Sequence, residues 1–371
     1  MKVFWRKASL CFPMWMAPNM ITLLGLVFII INALTVLYYD PYLNDESPRW
    51  TYFSYALGLF LYQTFDACDG NHARRTGQSG PLGELFDHCI DSLNTTLSMF
   101  PFWSTIGLGY SNLFILSHFA CLCNFYLSTW EEYHTNVLYL SVFSGPVEGL
   151  TMLIVLFTLT GVYGQRKVWH TCLFDIPLND EVFKFQTVHL FLSFAGVALI
   201  SNILAATSNV SNYYREKNKK SEKPKSKKMV DEEISTALDG LTPFFAYFLT
   251  VFIAVLLNRR FINFPFTLSI GFSIAFAVGR IIVNHLTLQP FPTYNPPLFI
   301  PLVQIILYLT ITDILGYDPD KVVFALTWLG CGVSLGMHFI FINDIIYEFT
   351  QYLDIYAISI KHPVKGDKKR V

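Results

Sequence analysis

Four aspartates set the chemistry this chain could do. Asp66 and Asp69 lie three residues apart, and Asp87 and Asp91 lie four apart. At those spacings each pair shares one face of a helix. Gly83 stands one turn before Asp87, and Arg74, Arg75, Gly77, Gly80 and Pro81 fill the stretch between the pairs. Two helices joined by a short turn can bring all four carboxylates to one point. Four carboxylates that close cannot all stay ionised without cations. Oxygen-only ligands favour hard ions, so two Mg2+ ions are expected, with Mn2+ as the alternative. Two such ions could clamp a pyrophosphate and stabilise attacking and leaving oxygens together. Arg74 suits a phosphate oxygen through paired hydrogen bonds. Gly70 and Gly83 carry no side chain and leave room for a ligand or a neighbouring helix.

These acids sit in a chain built for lipid. Of 371 residues, 53% are hydrophobic and only 14% charged, against roughly 25% charged in soluble domains. Charge beside membrane-length apolar runs is costly, so its default reading is functional, a catalytic site or an ion pathway. The net charge of −1 gives no field that points to nucleic acid. Seven scattered cysteines offer neither zinc spacing nor a disulfide framework, and read as free, buried thiols.

The fold class expected is an all-α integral membrane protein of about ten transmembrane helices. Residues 1–18 read as an interfacial segment, with Trp5, Phe12, Trp15 and Met16 meeting apolar lipid and Arg6 and Lys7 meeting phosphates. No cleavable signal precedes the first span, which is expected to stay. Uncharged or nearly uncharged runs then place spans at about 20–38, 50–65, 82–103, 112–127, 147–161 and 188–207. Residues 19–212 form the expected catalytic core, with the acids at 66–91. A linker follows at 213–232; within it, 215–228 hold eight basic and two acidic residues. A four-helix region at 233–350 has spans near 241–257, 264–282, 298–315 and 322–347, and 351–371 make the tail. Ten spans put both termini, the acidic turn and the basic linker on one side, and the basic residues make that side cytoplasmic. Arg166-Lys167 and Arg259-Arg260 fall on the other side, against this rule. The tail ends Lys368-Lys369-Arg370-Val371, similar to a dilysine endoplasmic-reticulum retrieval signal.

The pattern of the acids is also specific as a pattern. It reads D, two residues, DG, two residues, AR, eight residues, G, three residues, D, three residues, D. Asp66, Asp69, Gly70, Ala73, Arg74, Gly83, Asp87 and Asp91 fill every fixed position; by average residue frequencies the chance odds are on the order of 10⁻⁷. It resembles the signature of the CDP-alcohol phosphotransferases. The Pro13-x-Trp15-x-Ala17-Pro18-Asn19 lead-in and the Trp130-Glu131-Glu132-Tyr133-His134 stretch are similar to the eukaryotic choline/ethanolamine branch. The resemblance implies a six-helix core with the motif on its second and third helices, followed here by four C-terminal helices. It implies transfer of phosphocholine, phosphoethanolamine or both from CDP-choline or CDP-ethanolamine to diacylglycerol, with release of CMP. Another head group such as inositol is the alternative within the family, and an ion-coupled transporter is the alternative outside it. The implied location is the membrane of the endoplasmic reticulum or Golgi. The N-terminus is short for the branch, so an upstream segment is expected. A homodimer formed through the last four spans is also expected, with no nucleic-acid partner.

The diacylglycerol hydroxyl needs a base. His88 follows Asp87, stands three residues before Asp91 and ordinarily titrates near neutrality; in the branch a histidine occupies this position. By resemblance its orienting partner is Glu148, in Gly145-Pro146-Val147-Glu148. The rival base is Asp91, which metal binding would weaken. The resemblance places part of the nucleotide pocket where Asn19 and Thr22 open the first span, although a helix cap explains Asn19 equally well. Glu132 and Tyr133 could reach the donor's head group, a quaternary ammonium favouring the faces of Tyr133 or Trp130. The expected CDP-alcohol contacts are therefore Asn19, Gly70, Ala73, Arg74, Gly83, Glu132 and Tyr133. His118, His189, Asp313 and His338 are read as helix-packing polar contacts.

Overall fold

The computed structural model describes residues 2–137, 139, 146–178 and 181–362. Helix α1 is Lys2–Ala8, α2 Pro18–Tyr39, α3 Arg49–Thr76, α4 Pro81–Leu97, α5 Met99–Ile106, α6 Asn112–Thr135, α7 Pro146–Tyr163 and α8 Gln165–Trp169. Strands β1 (Cys172–Leu178) and β2 (Glu181–Gln186) precede α9 (Thr187–Lys219), α10 (Lys227–Asp239), α11 (Thr242–Leu257), α12 (Phe264–Leu286), α13 (Ile300–Leu309) and α14 (Pro319–Leu353). Among the described residues, seven helical stretches are long and apolar enough to cross a membrane: α2, α6, α9, α10 with α11, α12, Pro296–Ile314 around α13, and α14. The protein is thus an all-α, multi-pass membrane protein. The other three expected spans are α3, the pair α4–α5 and α7. The motif's polar residues lower the mean hydropathy of α3, and α4 breaks from α5 at Ser98.

Local sequence explains the boundaries that matter to the site. Pro18 occupies the first turn of α2, where its missing N–H costs nothing. Gly77 closes α3 in the left-handed region at φ 67°, which a side chain would strain. Gly80 is extended, and Pro81 begins α4. The two motif helices are therefore joined by only four residues.

Contacts between helix ends sort the spans into two ends of the molecule. At the motif end, Trp130 Nε1 donates to Ala237 O (2.9 Å), Tyr126 OH to Gly240 O (2.9 Å) and Tyr133 OH to Gln289 O (2.7 Å). At the far end, Gln165 Nε2 donates to Ser104 O (2.8 Å), and Asn263 Nδ2 lies 3.3 Å from Thr327 Oγ1. The two basic pairs that break the charge rule are at this far end. Arg166 lies 3.8 Å from Glu46, and Arg260 pairs with Asp320. Each acid offsets the local positive charge.

The structure adds to the sequence reading in three connecting segments. Residues 2–16 brace the motif helix. Cys68 Sγ donates to Trp5 O (3.4 Å), and Arg75 Nη1 to Ser9 O (3.1 Å) and Phe12 O (3.0 Å). Much of the basic linker is helical, since α9 runs to Lys219 and α10 begins at Lys227. The stretch before α9 contains an antiparallel hairpin, with Phe174 stacked on Phe185 at 4.6 Å between ring centroids. The cysteines are free, with Cys68, Cys89, Cys123 and Cys331 buried and Cys11, Cys121 and Cys172 exposed.

Asp40 is the far end's structural keystone. Its carboxylate is wholly buried and accepts from Asn44 N (3.0 Å), Asp45 N (3.1 Å) and Ser104 Oγ (2.7 Å). Asp40→Ala strands all three donors, and is expected to lower stability by about 2–3 kcal/mol. Thermal unfolding in detergent should show the loss, while turnover of the surviving protein at 25 °C stays unchanged.

Candidate active site

The turn at Gly77 folds the last turns of α3 onto the first turns of α4. Oxygens of Asp66 and Asp69 from α3 and of Asp87 from α4 lie within 4.8 Å of one another. Asp91 is one turn further along α4 and falls outside that group of three. It stands near enough to act on Asp66 and Asp87 electrostatically, and it accepts a hydrogen bond from Tyr62 OH. Tyr62 is four residues before Asp66, so the two share a helix face. Asp69 is buried, and its Oδ2 accepts from Thr22 Oγ1 of α2 at 2.5 Å.

The donor set fits a divalent cation. Asp87 Oδ1 is buried with no hydrogen-bond donor among the described residues. A buried acceptor left unpaired costs free energy, and three crowded carboxylates repel. A hard cation would relieve both. Space beside the acids is open: a Cβ built on Gly70 would meet only Arg74 Nη1 at 3.9 Å, and one on Gly83 only Asn19 Oδ1 at 3.8 Å. Ala73 is half-buried one turn beyond Asp69. Arg74 is exposed, and its Nη2 donates to Asn71 Oδ1 at 3.0 Å, leaving other guanidinium donors free to turn to a ligand.

His88 is half-buried beside Asp87 and makes no hydrogen bond among the described residues. Its electrostatic neighbour is His285, from the end of α12. Glu148 is exposed in the first turn of α7 and is not hydrogen-bonded to His88. The structure brings α7 to the α3 side of the motif, where Gln63 Nε2 donates to Val147 O at 2.9 Å. His88 has its electrostatic neighbour on α12 instead. Gly145, the start of the expected Glu148 motif, lies outside the described residues.

The aromatic end of α6 divides between packing and the site. Trp130 is fully buried and bonded to Ala237 O, so its face is closed to a cationic head group, which corrects that expectation. Glu131 is buried and accepts from Asn209 Nδ2 (2.7 Å), away from the acids. Tyr133 lies 5.9 Å from His285 between ring centroids, and Glu132 faces Glu84, itself a neighbour of Asp87. His118 is a packing contact, bonded to Thr96 Oγ1 at 3.1 Å. His285 and Tyr62 are the site residues that sequence reasoning missed. For Tyr62 the signal was its four-residue spacing to Asp66; for His285 there was none.

Tyr62→Phe removes the donor that holds Asp91. It is expected to raise the divalent-metal concentration needed for half-maximal activity about ten-fold. A metal titration of wild type and variant checks this.

The site is therefore a carboxylate cluster that could hold a metal ion, carried on two adjoining helices of a multi-pass helical membrane protein. The family model for CDP-alcohol phosphatidyltransferase matches residues 15–206. Over 363 residues the chain is 57% identical to cholinephosphotransferase 1 of Saccharomyces cerevisiae, covering 98% of this chain and 92% of that one. It is 55% identical over 361 residues to choline/ethanolaminephosphotransferase 1 of the same yeast, covering 97% and 91%. With choline/ethanolaminephosphotransferase 1 of Arabidopsis thaliana the identity is 33% over 375 residues, covering 96% and 90%. The chain belongs to the CDP-alcohol phosphatidyltransferase family.

Proposed function

We propose that this enzyme transfers phosphocholine, phosphoethanolamine or both from the CDP-alcohol to diacylglycerol, forming the phospholipid and releasing CMP. The yeast relatives, a cholinephosphotransferase and a choline/ethanolaminephosphotransferase, support the head groups. The observation that carries the chemistry is the cluster of Asp66, Asp69 and Asp87 oxygens within 4.8 Å of one another, in a motif whose Gly70 and Gly83 leave open space.

Asp66, Asp69, Asp87 and Asp91 would hold Mg2+, which when bound would neutralise the acids and polarise the donor's pyrophosphate. Arg74 grips a phosphate oxygen. Gly70, Ala73 and Gly83 let the nucleotide lie against the helices, and Asn19 faces it across Gly83. Glu132 and Tyr133 border the head-group side. The acceptor hydroxyl attacks the β-phosphorus in line. A new P–O bond forms to the glycerol oxygen as the bond to the CMP oxygen breaks. His88 takes the hydroxyl proton. Asp91 is the poorer base because Tyr62 already occupies it. Glu148 orients His88 in this reading, which requires the start of α7 to turn across the site when substrate binds. Glu148→Gln should therefore slow transfer less than loss of His88 does.

We place the enzyme in the endoplasmic-reticulum membrane, with the site and both termini cytoplasmic. The basic stretch at 215–228 supports that orientation; the tail Lys368-Lys369-Arg370 lies outside the described residues. Apolar side chains exposed on α14, among them Phe324, Leu329, Phe339 and Ile340, offer a surface for a homodimer. Crosslinking in membranes that finds only monomers would remove the dimer.

The head groups are tested by competing CDP-choline and CDP-ethanolamine on purified protein with diacylglycerol. Transfer of one or both, with one CMP per phospholipid, is the result expected. Faster turnover of a CDP-alcohol with a different head group would overturn the assignment.

A further inference from the structure

The C-terminal membrane region supplies none of the four aspartates, yet its last segment is fastened to the site. After α14 the chain reverses at Asp354, which takes the left-handed conformation at φ 52°. It then runs back over the motif end as far as His362. Three contacts hold it there. Ala357 O accepts from Asn19 Nδ2 at 2.9 Å, Ser359 makes an antiparallel bridge with Met16, and His362 O accepts from Gln78 Nε2 at 3.3 Å. The ends of the segment are tied together, because Asp354 accepts from both Lys361 Nζ and His362 Nε2.

Each fastening point is one step from the motif. Asn19 presents Oδ1 to Gly83, while its Nδ2 is taken by the strap. Met16 O meets the ring of His72, between Asp69 and Arg74, at 3.0 Å. Gln78 sits in the turn that joins the two motif helices. A cavity of about 360 Å³, lined by Tyr347, Thr350 and Lys361 among others, separates part of the strap from α14. The strap is therefore held both by residues around the site and by Ile355 and Ala357 packed against the core.

We propose that Asp354–His362 is a positioning strap for the CDP-alcohol. It fixes the amide of Asn19 through Ala357 O, so that Asn19 Oδ1 faces Gly83 and the bound nucleotide. It also holds the Met16–Asn19 lead-in and the Gln78 turn in register. This rests on the reading that the Asn19–Gly83 face takes the CDP-alcohol. A carbonyl already aligned on the amide spares the donor the entropy of ordering Asn19, so the strap acts on donor affinity and not on the chemical step.

The test is kinetic. Lys361→Ala combined with His362→Ala opens the tie to Asp354. This double variant is expected to raise KM for the CDP-alcohol about five-fold, in line with loss of one ordered hydrogen bond. Both kcat and KM for diacylglycerol should stay within about two-fold. Lys361→Arg, which keeps the ion pair, should keep the wild-type KM. Met16→Cys with Ser359→Cys replaces a bridging pair whose separation suits a disulfide. Introduced into the Lys361→Ala, His362→Ala protein, the oxidised link should restore the low KM, and reductant should raise it again. An unmoved KM in the opened variant overturns the strap. So does loss of transfer on oxidation, which would make the segment a lid that must lift. An unmodified protein that releases no CMP from any CDP-alcohol overturns the functional reading, and the strap with it. Turnover with an unmoved KM overturns the strap alone.

Discussion

Asp87→Asn should lower kcat by at least about 10³-fold, the scale expected when the charge balance of a phosphoryl-transfer site is broken. The substitution keeps shape and volume and removes one charge. Asp87 is the informative position because it is the member of the cluster that α4 contributes, and its Oδ1 is buried without a donor among the described residues. Two further readouts separate this from damage to the fold. In chelator the variant should be at least as stable as wild type, because one member of a repelling cluster has been neutralised. Added Mg2+ should stabilise wild type, by about 2.7 kcal/mol at a hundred times its dissociation constant, and should stabilise the variant far less. Equal metal stabilisation of the two proteins would remove Asp87 from the ligand set.

His88→Ala is the second large effect. Loss of a positioned base is expected to cost about 10² to 10⁴ in kcat. KM for the CDP-alcohol should change little, because the donor is held by the acids' cations, Arg74 and the glycine faces. Asp91→Asn supplies the contrast. Asp91 accepts from Tyr62 and lies near Asp66, so its loss should raise the metal requirement as well as lower kcat. If Asp91→Asn lost only kcat and His88→Ala left turnover unchanged, Asp91 would be the base.

The features legible in the sequence are those that are local in the chain. Asp66, Asp69, Asp87 and Asp91 lie on consecutive helices, so spacing alone pairs them and Gly77 and Pro81 announce the turn between them. Hydropathy is likewise a local property, and the spans follow it. Distance in sequence is where reading fails. His285 reaches His88 from α12, and Ala357 reaches Asn19 from beyond α14; nothing near the motif signals either. Orientation about a helix axis is the other limit. Trp130 and Tyr133 are equally aromatic and one turn apart, yet Trp130 is walled in by α10 and only Tyr133 borders the site. Composition also hid the hairpin, since a strand pair rich in Phe174, Ile176, Phe183 and Phe185 has the same composition as an interfacial segment. Arg6 and Lys7 suggested contact with lipid phosphates, whereas Arg75 decides the packing of their segment by donating to two of its carbonyls.

If the aspartate cluster performs cation-dependent phosphoalcohol transfer, product release must follow the metal. The most direct measurement is release of CMP by purified, metal-stripped protein given CDP-choline or CDP-ethanolamine and diacylglycerol, before and after addition of Mg2+. No CMP is expected in chelator, CMP and phospholipid in equal amounts once Mg2+ is added, and none from the Asp87→Asn protein under either condition. CMP release of equal rate in chelator, or from Asp87→Asn with Mg2+ present, would contradict that role of the cluster.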